Sequence, residues 1–166
     1  MEALKDRILK LVGDEVEIVE VVEINPRDLR IDVRTRWKCQ FGCSYYGKRY
    51  SCPPAVPPLS DAEKFIKSYS KAFVIKFRFS SEKYLEMKRK AQLFLVRVEK
   101  ELISDYPFVF TLFPGGCDIC ENCSYTRRGC RKAEYVRPTV TSVGIDVSSL
   151  GIRIGDETSV GILLLE

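Results

Sequence analysis

Lys71 to Asp105 reads KAFVIKFRFSSEKYLEMKRKAQLFLVRVEKELISD. Its first nine residues, Lys71 to Phe79, are rich in Val, Ile and Phe and predict a buried strand. From Ser81 onward Tyr84, Met87, Ala91, Phe94, Leu95, Val98 and Leu102 recur at three and four residues, which predicts a long amphipathic helix. A strand leading into a helix makes a sheet with helical cover the first expectation.

Working outward, residues 2 to 12 place Ala3, Leu4, Ile8, Leu11 and Val12 at helical spacing, and Glu15 to Ile24 alternates acid with hydrophobe as a half-buried strand does. Ser60 or Asp61 caps a helix reaching about Tyr69. Past the central helix, Pro107 stops helical structure, FVFTLF forms a strand, and Pro114-Gly115-Gly116 turns the chain. Arg137-Pro138 is a helix start with proline at its first position, while Ser159 to Glu166 reads as a final interior strand. The predicted fold is α/β or α+β, a single mixed sheet covered by helices. One domain spans 1–166, with two long cysteine-bearing loops at about 34–59 and 115–131.

Those loops hold all seven cysteines, and the chain has no histidine. The opening residues alternate charge with hydrophobe, and no run reaches the length of a membrane span, so a cytoplasmic protein with no membrane partner is expected. Thiols in that compartment are reduced, which favours metal binding over disulfides, although hyperthermophile proteins depart from this rule.

Cys117, Cys120 and Cys123 stand at every third position and Cys130 follows. A C-x2-C-x2-C run curls the backbone around one point, so three sulfurs can meet three corners of a cubane and a later cysteine the fourth. A 4Fe-4S cluster is therefore expected at Cys117, Cys120, Cys123 and Cys130. Zinc is the alternative, although zinc sites more often draw two cysteines from each of two knuckles. Cys39, Cys43 and Cys52 offer three ligands, enough for a second metal centre with an open position, or a contribution to a shared site.

The net charge of +4 is modest. Lys88-Arg89-Lys90 reads as a solvated helix face, whereas Arg127, Arg128, Arg131 and Lys132 sit in or beside the second cysteine loop. No RNA-recognition or helix-turn-helix pattern accompanies them, so nucleic acid is set aside as a partner. Trp37, Phe41, Tyr45, Tyr46 and Tyr50 are expected to pack the first loop onto the sheet, Asp118 and Glu121 to face solvent, and Arg137 to form a surface salt bridge.

The segments CQFGCSYYGKRYSCPP (39–54) and GGCDICENCSYTRRGCRKAEYVRPTVTSVGIDV (115–147) resemble a prokaryotic cysteine-rich domain family of unknown function, described as a predicted metal-binding protein. The resemblance covers essentially the whole chain. It implies metal binding by Cys39, Cys43, Cys52, Cys117, Cys120, Cys123 and Cys130, and no particular reaction. Electron transfer, or redox accessory work for a partner enzyme, is the expected function. The alternatives are a zinc-stapled interaction module and an iron-sulfur enzyme using an open-site cluster at Cys39, Cys43 and Cys52 on a sulfur or anionic substrate. Against catalysis, the chain has no G-x-G-x-x-G and no phosphate-binding glycine loop.

Overall fold

A computed structural model describes residues 3–14 and 16–166; Met1, Glu2 and Glu15, on which the ends of the expected first helix and first strand fall, lie outside them. Strands β1 (Ile18–Ile24), β2 (Ala72–Arg78), β3 (Phe110–Leu112) and β4 (Thr158–Leu164) form one sheet in the order β1-β2-β4-β3. The α-helices are α1 (Leu4–Lys10), α2 (Arg34–Gly42), α3 (Leu59–Lys67), α4 (Tyr84–Leu102) and α5 (Tyr125–Arg128).

Every neighbouring strand pair is antiparallel, so the fold is α+β and the expectation of a mixed sheet is corrected. The cause is where the last strand enters. β2 and β3 both oppose β4, hence they run the same way, joined by α4 as a split βαβ crossover with β4 slotted between them. A helical crossover predicts parallel strands, and these are parallel without being neighbours.

β2 is apolar on both phases because both sheet faces are covered. Phe73, Ile75 and Phe77 pack with Ile8 of α1 and with Ala91, Phe94, Leu95 and Val98 of α4. Ala72 and Val74 point the other way, into a cluster with Ala62 and Ile66 of α3 and with Val143, Ile145 and Leu150. Burying each large apolar side chain contributes about 1.5–3 kcal/mol.

Two expected elements differ. The segment after Arg137-Pro138 is not helical. Phe113 N–H donates to Pro138 O at 2.8 Å, Val140 N–H donates to Phe113 O at 3.1 Å, and Phe113 forms a parallel bridge with Thr139. Those bonds, with the β-branched run, draw the chain out alongside the end of β3. The first cysteine segment is not a loop throughout, since α2 occupies its beginning and has no buried residue. Thr139 N–H donates to Ser51 O at 3.2 Å, which brings that segment to the same sheet end as the second. Among the described residues no helix is long and apolar enough to cross a membrane.

Gly161 of β4 lets α4 approach the sheet. A Cβ there would stand 2.8 Å from Leu95 Cδ1 and 3.1 Å from Leu112 O. Gly161→Ala is expected to destabilise the protein by about 1–3 kcal/mol, read as a lower urea midpoint at unchanged slope.

Candidate metal centre

The two cysteine sets converge on two separate cavities. Cys39 lies on α2 and Cys43 caps its C-terminus, four residues apart and so on one helix face. With Cys52 they line a cavity of about 230 Å³. Cys117 follows Gly115-Gly116 directly, and Cys120 and Cys123 come in the irregular stretch before α5. Ser124 precedes α5, accepting Arg128 N–H on its backbone oxygen at 2.9 Å and donating its hydroxyl to Gly129 O at 2.9 Å. Gly129, at φ +78, then reverses the chain, a conformation glycine takes without strain. Cys130 thereby returns to its partners despite the six intervening residues.

Cys117, Cys120, Cys123 and Cys130 all line one tight cavity of about 20 Å³, with Arg49, Arg131 and Lys132 among its charged walls and Ile119 and Val136 among its apolar ones. Neither cavity takes a cysteine from the other set, so the seven thiols fall into two groups around two cavities. The sites adjoin through Ser51, whose hydroxyl lies 3.3 Å from Cys52 Sγ and accepts Cys117 N–H at 2.9 Å. Among the described residues no three Cys, Asp or Glu side chains are gathered at the spacing that would hold a single metal ion.

Between the two sites stands a buried polar wall. Lys88 of α4 is 1% exposed and Asp118 is 7% exposed. Lys88 Nζ lies 2.7 Å from Asp118 Oδ2, which also accepts the Tyr45 hydroxyl at 2.7 Å. Lys88 Nζ sits 4.6 Å from the centre of the Tyr45 ring, and the Arg49 guanidinium 4.7 Å from it. Arg89 Nε donates to Asp118 O at 2.8 Å, and Arg49 Nε donates to Cys117 O at 2.9 Å. Gln92 bonds both ways, its Nε2 donating to Gly116 O at 2.9 Å and its Oε1 accepting Asp118 N–H at 3.0 Å. Gly116 cannot carry a side chain here, because a Cβ would stand 2.7 Å from the Tyr45 ring.

These contacts correct several expectations. Asp118 does not face solvent, because it is the counter-ion of a buried lysine; Glu121 is exposed as expected. Lys88 is not on a solvated face, and Arg89 is tied to the Asp118 backbone. Trp37 and Phe41 are 64% and 73% exposed, stacked on each other and not on the sheet, while Tyr45 wedges into the site. Arg137 is mostly buried, clamping Glu99 at 2.8 Å, whose other oxygen accepts Thr111 N–H at 3.0 Å. Sequence reasoning missed Lys88, Gln92, Ser51 and the role of Tyr45. The signal for Lys88 was its position, four residues after Tyr84 and three before Ala91, inside the apolar stripe of the helix.

Electrostatics follow from the same burial. Burial pushes Cys117 from the ordinary 9.0 to about 11, with the neighbouring Cys130, Asp118 and Cys123 adding to the rise. Cys52 is raised by burial first and by Cys43 and Cys39 beyond it, against the Ser51 hydroxyl and Lys88, which lower it. Burial disfavours charge on Lys88, yet the hydrogen bond and charge of Asp118 outweigh it and hold the ammonium above its ordinary value. Burial thus disfavours the thiolate at Cys117, Cys52 and Cys39, so metal uptake by these three would displace protons.

This is an α+β scaffold that gathers two groups of thiols at one end of its sheet, the arrangement of a metal-binding domain without histidine ligands. The chain belongs to the family described as Predicted metal-binding protein (DUF2284), whose model matches residues 22–162 and so includes every cysteine. No curated protein and no solved structure matches the chain.

Two outcomes are expected. Asp118→Asn strands the buried Lys88 ammonium and should cost about 3–5 kcal/mol in chemical denaturation, much of it recovered in the Lys88→Met/Asp118→Asn double variant. In reduced, chelator-treated protein the Cys117 thiol is raised on folding, so its stabilising contribution is complete below pH 9 and lost as pH rises through about 11. Thermal unfolding across that window should show the loss, and Cys117→Val should lack that component of it.

Proposed function

We propose that Cys117, Cys120, Cys123 and Cys130 hold a 4Fe-4S cluster and that the protein passes electrons to or from a partner enzyme. The observation that carries this reading is that all four thiols of the set line one cavity with Arg49, Arg131 and Lys132 beside them. The all-sulfur side-chain set suits iron-sulfur chemistry. Such a centre supplies one-electron exchange when bound.

The chain's own residues do the rest. Arg49, Arg131 and Lys132 offset the negative charge of four thiolates, and Ile119 and Val136 keep water from part of the wall. Ser51 fixes the Cys117 amide, and Arg49 fixes its carbonyl. Arg127 and Arg128 are exposed on α5 between Cys123 and Cys130, and with Arg131 and Lys132 they offer a basic face to an acidic redox protein. Cys39, Cys43 and Cys52, around their own cavity, form a second, three-thiol site. These roles fit a reducing, cytoplasmic setting.

A zinc-stapled module is the second reading. The size of the four-thiol cavity favours it, since about 20 Å³ is closer to the room for one ion than for a cubane. Accepting a cluster requires the surface stretch from Cys120 to Arg131, tied largely by local turn bonds, to move outward.

The variants decide which set carries the chromophore. After anaerobic reconstitution with iron and sulfide, Cys120→Ala should lose most of the visible charge-transfer absorption and the paramagnetic signal of the reduced protein, and Cys52→Ala should keep them. A colourless wild type, or a band that survives Cys120→Ala intact, would sink the reading.

A further inference from the structure

We propose that the cleft between α2 and residues 141–147 binds a small organic anion with an apolar body, held against Cys39 and Cys43. This goes beyond the electron-transfer reading and does not depend on what the second cysteine set holds.

The cleft measures about 460 Å³, within the range of small-molecule sites. Half-buried Val147, over the fully buried Ile145, lines it with apolar atoms. Its other wall is a face of α2. Thr35, Lys38 and Cys39 line it at positions three and four apart, which share one side of a helix. That side would ordinarily pack on a core, yet α2 has no buried residue. The helix is instead held across the cleft by Arg36, whose guanidinium donates to Ser142 O at 2.8 Å and to Pro57 O at 2.7 Å. The space is spanned rather than filled.

Charge selects the occupant. Asp32 is already bound by Arg34, with Nε donating at 3.0 Å to each oxygen. Asp146 is bound by Arg30 and accepts Ser148 N–H at 2.9 Å. Lys38 has no ion-pair partner among the described residues; with Arg30 neutralising Asp146 from outside the lining, the cleft and its rim carry one unbalanced positive charge. An apolar body with a single anionic group complements it. Position gives the consequence: Cys39 and Cys43 line both this cleft and the cavity that holds Cys52. A molecule in the cleft therefore lies against the open side of the three-thiol site, where a substrate or regulator of that site would sit.

The probe is 8-anilinonaphthalene-1-sulfonate, an aromatic sulfonate of this class, titrated by fluorescence into the full chain. One saturable site per chain is expected. Lys38→Glu should weaken it about tenfold or more by reversing the unbalanced charge. Thr141→Trp, at an exposed position on the cleft wall, should abolish it while far-ultraviolet circular dichroism stays native. The Trp37→Ala/Phe41→Ala double variant, on the outer face of α2, should leave it unchanged. Absence of binding, affinity indifferent to Lys38→Glu and Thr141→Trp, or loss of binding in the Trp37/Phe41 variant would each overturn the proposal. Because the dye reads neither iron nor sulfide, failure here and failure of the iron-sulfur reading are separate results.

Discussion

The buried Lys88–Asp118 ion pair is the constraint on which both thiol sites rest. Asp118 lies one residue after Cys117, and Lys88 lines the cavity of Cys39, Cys43 and Cys52. Separating the two charges would leave an ammonium and a carboxylate in a site almost without water, so α4, the first cysteine segment and the second are held to one geometry. Tyr45 adds a phenol to Asp118 and a ring face to Lys88, and glycine at position 116 makes room for that ring. Ion pairs of this kind are poor sources of net stability and good sources of specificity. Here the specificity concerns which cysteines meet.

The sheet delivers those segments. The split crossover through α4 places β3 at one edge, and its continuation past Phe113 leads through Pro114, Gly115 and Gly116 to Cys117. Ser51 ties the arriving chain to the first segment through Cys117 N–H and Thr139 N–H. Two thiol groups so placed are adjacent without sharing a cysteine. Ser51 is a direct polar link between them, from Cys52 Sγ to the Cys117 amide.

The strands and long helices were legible in the sequence because periodicity reports burial directly. The run from Ala72 to Arg78 and the stripe from Tyr84 to Leu102 appear where expected. What the sequence hid was non-local. The insertion of β4 between β2 and β3 depends on pairing at fifty residues' separation or more, as in the Thr111 hydroxyl bonded to Ile162 O, 51 residues away. The chain at Thr139 bridges to Phe113 and then turns over 140–144, because Phe113 supplies it with partners that no local pattern encodes. At the site, cysteine spacing gave both groups of thiols. Asp118 and Lys88 were misread because each looks solvated until the other is beside it.

The central claim is that four thiols brought to one cavity hold an iron-sulfur cluster and not a single ion. Analysis of iron, zinc and acid-labile sulfide in anaerobically purified, unreconstituted protein tests it most directly. Iron and sulfide in near-equal amounts, about four of each per chain for one filled cluster, are the result the account predicts. About one zinc per chain with no labile sulfide would contradict it and leave the zinc-stapled module in its place.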